Sequence, residues 1–135
     1  MKFFSKIKKP FIYLFSLGLS IFLLFFVVTS MWIGHDVKSK CRQAKFDYEG
    51  TCTQAMISLL KDENRSFYAR NSAIWALGQL GDPSSLSVLQ SFYTGYIPDR
   101  EPINEIISQY ELKKAIKLVD GGTNTTSIFW RYNLD

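Results

Sequence analysis

Few side chains in this chain of 135 residues are equipped for chemistry, and their spacing narrows what they can do. Cys41 and Cys52 are its two cysteines. Val37, Cys41, Ala44 and Tyr48 recur on one helical stripe and Cys52 opens the stripe of the next helix, so the thiols can face each other across the Tyr48 to Thr51 turn. In an oxidising compartment that pair closes a disulfide, and elsewhere it remains two buried thiols. His35 is the single histidine, which leaves no metal-ligand set and no second imidazole to activate a thiol. Asp99, Arg100, Glu101 and Glu105 gather between Pro98 and the next helix, a cluster that serves acid and base work or, as a solvated loop, partner recognition. No phosphate-binding, dinucleotide, nucleophile-elbow or zinc-protease motif occurs, and no cofactor or metal is expected. Asn64 and Asn124 match the glycosylation pattern, and neither is assigned a role.

The elements that hold these residues are set by where charge and apolarity fall. The net charge is +4, but Lys2, Lys6, Lys8 and Lys9 supply it; from residue 34 onward twelve Lys and Arg balance twelve Asp and Glu. The basicity therefore belongs to a flank, residues 1–10, and gives no ground for a nucleic-acid partner. Residues 11–33, FIYLFSLGLSIFLLFFVVTSMWI, carry no charge. As a helix they reach about 34 Å, enough for a hydrocarbon core of about 30 Å. A transmembrane signal anchor is expected, its partner the lipid bilayer. The alternative is a cleaved signal peptide ending near Val28-Thr29-Ser30, although the run exceeds the roughly 7 to 15 residues of a signal core. Lys8 and Lys9 abut the run while Gly34 and His35 follow it, which favours a cytoplasmic N-terminus and an extracytoplasmic domain.

Beyond the anchor, punctuation divides the chain into helices. Glu49-Gly50 and Asp62-Glu63-Asn64 end two, and Gly81-Asp82-Pro83 combines a stop, an N-cap and a first-position proline. Ser108 and Glu111 fit a capping box for a last helix that Gly121-Gly122 stops. On a helical wheel Phe67, Ala69, Ala73, Ile74, Ala76, Leu77 and Leu80 fill an arc of roughly 180°, wide enough to be buried on two sides. Trp75 lies off that arc beside Asn71 and Gln79.

The run DENRSFYARNSAIWALGQLGDPSSLSVLQSFY resembles a HEAT-like repeat of the phycobilisome-lyase type, on Arg70, Ala73, Ala76, Leu77, Gly78, Leu80, Gly81 and Asp82 with Leu86 and Leu89 after them. SQYELKKAIKL suggests a second unit, with Glu111 where the motif has Arg. The whole chain is similar to short single-span bacterial membrane proteins with a HEAT-like domain. The expected fold is all-α: one transmembrane helix, a small HEAT-like α-solenoid fragment of about five helices over residues 34–122, and a short aromatic tail over 123–135. Arg70 falls inside the apolar arc, so it needs a partner, Asp62 or Asp82; the resemblance implies such a structural ion pair.

The uncovered aromatics then bear on function. Trp75, Asn71 and Gln79 with Phe129, Trp130 and Tyr132 form the candidate partner-binding set. The tail holding the last three either folds back over the end of the stack, docks another protein or touches the bilayer. The expected function is a membrane-anchored, non-catalytic protein-protein interaction module, whether scaffold, adaptor or small subunit of an envelope complex. The alternative is an enzyme or chromophore-handling factor, which the kinship with bilin lyases implies.

Overall fold

Apart from His35, no titratable acid or base stands between Lys9 and Asp36 except the phenol of Tyr13. In the computed structural model, which describes residues 2–132 and 134 and side chains from Lys9 onward, this stretch lies within one helix, α1 (Lys2–Asp47). The side chains of Lys2, Lys6 and Lys8 in the basic flank, and Asn133 and Asp135 in the tail, lie outside the described residues. The 46 residues of α1 reach about 69 Å. The section from Lys9 is long and apolar enough to cross a membrane. Its hydroxyls turn inward on their own helix: Ser20 donates to Ser16 O (2.9 Å), Thr29 to Phe25 O (2.7 Å) and Ser30 to Phe26 O (2.6 Å). Polar groups in an apolar helix are satisfied this way without water. The boundary expected at residues 33 and 34 marks no break, because Gly34 continues the helix.

Four further helices follow: α2 (Cys52–Lys61), α3 (Phe67–Leu80), α4 (Leu86–Phe92) and α5 (Gln109–Val119). Short 3-10 turns occupy Pro83–Ser85 and Thr125–Phe129, and no strand occurs among the described residues. The complete capping box belongs to α2, where the Thr51 hydroxyl accepts from Gln54 N and the Gln54 side chain accepts from Thr51 N. At α5 the expected box is half formed. Ser108 Oγ accepts from Glu111 N (3.1 Å), but Ser108 N already donates to Asn71 Oδ1 (2.9 Å), so Glu111 turns to Lys114 instead. Gly81 ends α3 at a φ of 63°, a left-handed position that favours glycine, and the Asp82 carboxylate then accepts from Ser84 N (2.9 Å).

Packing centres on α3, which touches α1, α2 and α5. Ala73, Ile74, Ala76, Leu77 and Leu80 are buried as the wheel requires, and so are Arg70, Asn71 and Gly78 from outside its apolar residues. A helix covered nearly all round needs small residues where backbones approach. Gly78 is one: a Cβ there would lie 2.8 Å from Ala115 Cα of α5. Val37, Cys41 and Ala44 of α1, Ala55, Met56 and Leu60 of α2, and Leu112, Ala115 and Val119 of α5 complete the core around it.

Gly78 thus carries a test of sign. On an exposed helix face Gly→Ala stabilises by up to about 1 kcal/mol. Here Gly78→Ala drives a methyl into α5 backbone and is expected to destabilise by about 1–3 kcal/mol, measured by thermal unfolding of the full chain in detergent micelles.

Candidate interaction site

Helices α1 and α3 run side by side with α2 behind them, leaving an open valley along their seam. At its end away from the apolar section, Lys40, Asp47, Tyr48, Arg65, Tyr68 and Ser72 line a groove of about 290 Å³. Lys40 crosses the floor: its ammonium lies 3.5 Å from Ser72 Oγ, 4.0 Å from Asp36 and 6.0 Å from the centre of the Trp75 ring. Beyond Lys40, Trp75 shares a second groove of about 420 Å³ with Thr29, Trp32, Ile33, His35 and Asp36 of α1. The wheel placed Trp75 off the core arc, and the structure leaves it half-buried in this valley wall.

A polar cluster closes the far end. Tyr48 donates to Asp62 Oδ2 (2.5 Å), and Arg65 donates to Tyr48 Oη (3.2 Å) and to Asp47 Oδ2 (2.7 Å), tying the last turn of α1 to the α2–α3 connection. The Tyr48 hydrogen bond holds the Asp62 carboxyl below its ordinary range and raises the Tyr48 phenol. Asp82 is likewise lowered, chiefly by the Ser84 N–H. Cys41 and Cys52 are joined by a disulfide at the base of the same α1–α2 hairpin, with Cα atoms 5.1 Å apart.

Arg70 pairs with neither Asp62 nor Asp82, which corrects the expected ion pair. Asp62 is taken by Tyr48 and Arg65, and Asp82 by the turn that it caps. The Arg70 Nε–H instead donates to Leu60 O (2.9 Å), and the guanidinium lies 5.8 Å from the Phe67 ring centre and 5.9 Å from that of Phe92. The carbonyl end of α2 is the negative pole of its dipole, and aromatic faces add to it, so a cation only 8% exposed is satisfied without a carboxylate.

Three residues of the expected binding set, Asn71, Gln79 and Trp130, are occupied internally, which corrects their assignment to partner binding. Asn71 is buried; its amide donates to Ile103 O and Ile106 O (both 2.8 Å) and accepts from Ser108 N, clasping the long loop before α5. Gln79 receives the tail: Asn124 Nδ2 donates to Gln79 Oε1 (2.8 Å) and Arg131 Nη2 to Gln79 O (2.7 Å). The tail itself folds onto α1. Trp130 is buried against Gly34, where any side chain would collide with it, and Phe129 packs edge-on to Phe26 at 5.9 Å, while Tyr132 is exposed. In the loop cluster, Glu101 accepts from Ser108 Oγ (2.5 Å), Gln109 N (2.7 Å) and Tyr110 N (3.2 Å), a carboxylate seated on the α5 N-terminus. The roles of Lys40, Tyr48, Arg65 and Glu101 were missed from sequence. An asparagine in mid-helix, a poor choice for an exposed helix, was the signal for Asn71.

Residues 69–94 match the PBS lyase HEAT-like repeat family, covering most of α3, the Pro83–Ser85 turn and α4. No curated protein and no solved structure matches the chain.

Double-mutant cycles separate the two accounts of Arg70. Arg70→Met with Phe92→Leu is expected to show coupling of about 0.5–2 kcal/mol. Arg70→Met with Asp62→Asn is expected to add within about 0.5 kcal/mol. The depressed carboxyls of Asp62 and Asp82 contribute stability above the unfolded value of about 3.9, lost as pH falls through their lower folded values. Unfolding midpoints should therefore drop on acidification below about pH 4, and Asp62→Asn with Asp82→Asn should flatten that drop.

Proposed function

We propose that this HEAT-like repeat protein is a single-span membrane protein whose helical domain binds another protein along the α1–α3 valley. The proposed role is non-catalytic, as scaffold, adaptor or small subunit of an envelope complex. The valley itself carries the reading: it is long, open, and flanked by the exposed ring of Tyr68 and the half-buried ring of Trp75. Its charged groups Lys40, Asp47 and Arg65 already hold one another's helices in place, which suits a preformed docking surface.

Support for an uncleaved anchor comes from the tail. Phe26 packs against Phe129 and Ser30 is fully buried, so cutting near Ser30 would remove part of the domain's own packing. Support for an extracytoplasmic domain comes from two independent features, Lys8 and Lys9 beside the apolar run and the Cys41–Cys52 disulfide, which persists in oxidising compartments.

A photo-crosslinking amino acid in place of Tyr68 or Ser72 tests the reading in native membranes. A discrete protein adduct at these positions, and none at Lys113 on the outer face of α5, is the expected result. Adducts at Lys113 alone would remove the valley as the binding site.

A further inference from the structure

We infer that the Thr125–Phe129 turn is a lipid contact: Ile128 and Phe129 enter the bilayer beside α1 and give the domain a second membrane attachment. The inference rests on α1 being a span.

Depth follows from one ring contact. The uncharged run from Phe11 to Ile33 reaches about 34 Å against a core of about 30 Å, so the hydrocarbon boundary falls close to Ile33. Phe26 lies seven residues earlier, about 10 Å deeper along the axis, and side chains on a helix lean towards its N-terminus, deeper still. The Phe129 ring centre is 5.9 Å from that of Phe26. Even if that whole distance lay along the axis, Phe129 would not rise to the level of Ile33.

The turn is built for that depth. Ile128 and Phe129 are 65% and 51% exposed, continuous with the exposed apolar face of α1. Several of the turn's polar groups are satisfied internally: Ser127 Oγ donates to Asn124 O (2.7 Å), Thr126 Oγ1 to Asn124 Oδ1 (2.7 Å), and Trp130 N and Arg131 N to Ser127 O, while the buried Trp130 Nε1 has no partner. The Arg131 charge is drawn off to Gln79 O at the end of α3, and the apolar side chains meet the bilayer without it.

The tryptophans mark the same level. Trp32 and Trp75 line one groove with Thr29, Ile33, His35 and Asp36, while Trp130 sits on Gly34. Of the three tryptophans beside residues 29–36 of α1, Trp32 is 74% exposed, at the height at which indoles anchor at a membrane surface, while Trp130 is buried in the domain core.

Nitroxide accessibility in the full chain, reconstituted in phosphatidylcholine vesicles, tests the assignment. Because Cys41 and Cys52 are bonded to each other, an introduced cysteine provides the thiol for labelling. Leu19→Cys reports the span, Phe46→Cys reports water, since Phe46 is 93% exposed and about 20 Å beyond Ile33, and Ile128→Cys reports the turn. The ratio of oxygen to nickel-complex accessibility at Ile128→Cys is expected to be several-fold above that at Phe46→Cys. A ratio equal to Phe46→Cys, with Leu19→Cys deep, overturns the lipid contact and leaves the span standing. Shielding of Ile128→Cys from both reagents means a protein covers the turn, and also overturns it. A water-exposed Leu19→Cys overturns the span and the inference together.

Discussion

A helix without a break fixes everything attached to it, and α1 runs unbroken from Lys2 to Asp47. One end of it is an exposed apolar rod and the other supplies Val37, Cys41 and Ala44 to the domain core. There is no linker between these two uses. The rotation of the domain about the rod is set by helical periodicity, so one residue inserted between Gly34 and Val37 would turn the domain by about 100° relative to the apolar section. The disulfide, the Arg65–Asp47 pair and Trp130 on Gly34 hold the domain to α1 at three heights.

Within the domain, buried polarity is matched mainly by backbone. Arg70 finds the carbonyl of Leu60 and Asn71 the carbonyls of Ile103 and Ile106, and the exposed Arg131 likewise reaches the carbonyl of Gln79. A stack of short helices has many carbonyl ends relative to its size, and each is a partial negative charge already in place. Carboxylates are thereby left for caps and turns, as Asp82 and Glu101 are.

This preference explains which parts of the structure were legible in the sequence. Punctuation was: Gly81-Asp82-Pro83 and Asp62-Glu63-Asn64 lie where α3 and α2 end, because glycine, proline and capping side chains act on their immediate neighbours. The repeat motif was legible for the same reason, its alanines and leucines spelling out one helix and the next. Arg70's acceptor was not, since a carbonyl carries no residue identity to search for. Glu101 was read as loop charge because the helix end that it caps begins eight residues later, beyond local pattern. Gly34 resembled a boundary, whereas its missing side chain makes room for Trp130, almost a hundred residues away. The expected binding set mixed the two kinds of residue: Trp75 faces the valley, while Asn71 and Gln79 hold the loop and the tail.

The tail's return to Phe26 and Gly34 has a mechanical consequence. The segment from α2 to α5 is hung from α1 at both of its ends, high at the Cys41–Cys52 bond and low at Trp130. A load applied to the domain reaches the rod at two heights, so it acts as a torque that tilts α1 rather than swinging the domain about a hinge. Over about 69 Å of helix, a tilt of roughly 5° moves the far end by about 6 Å.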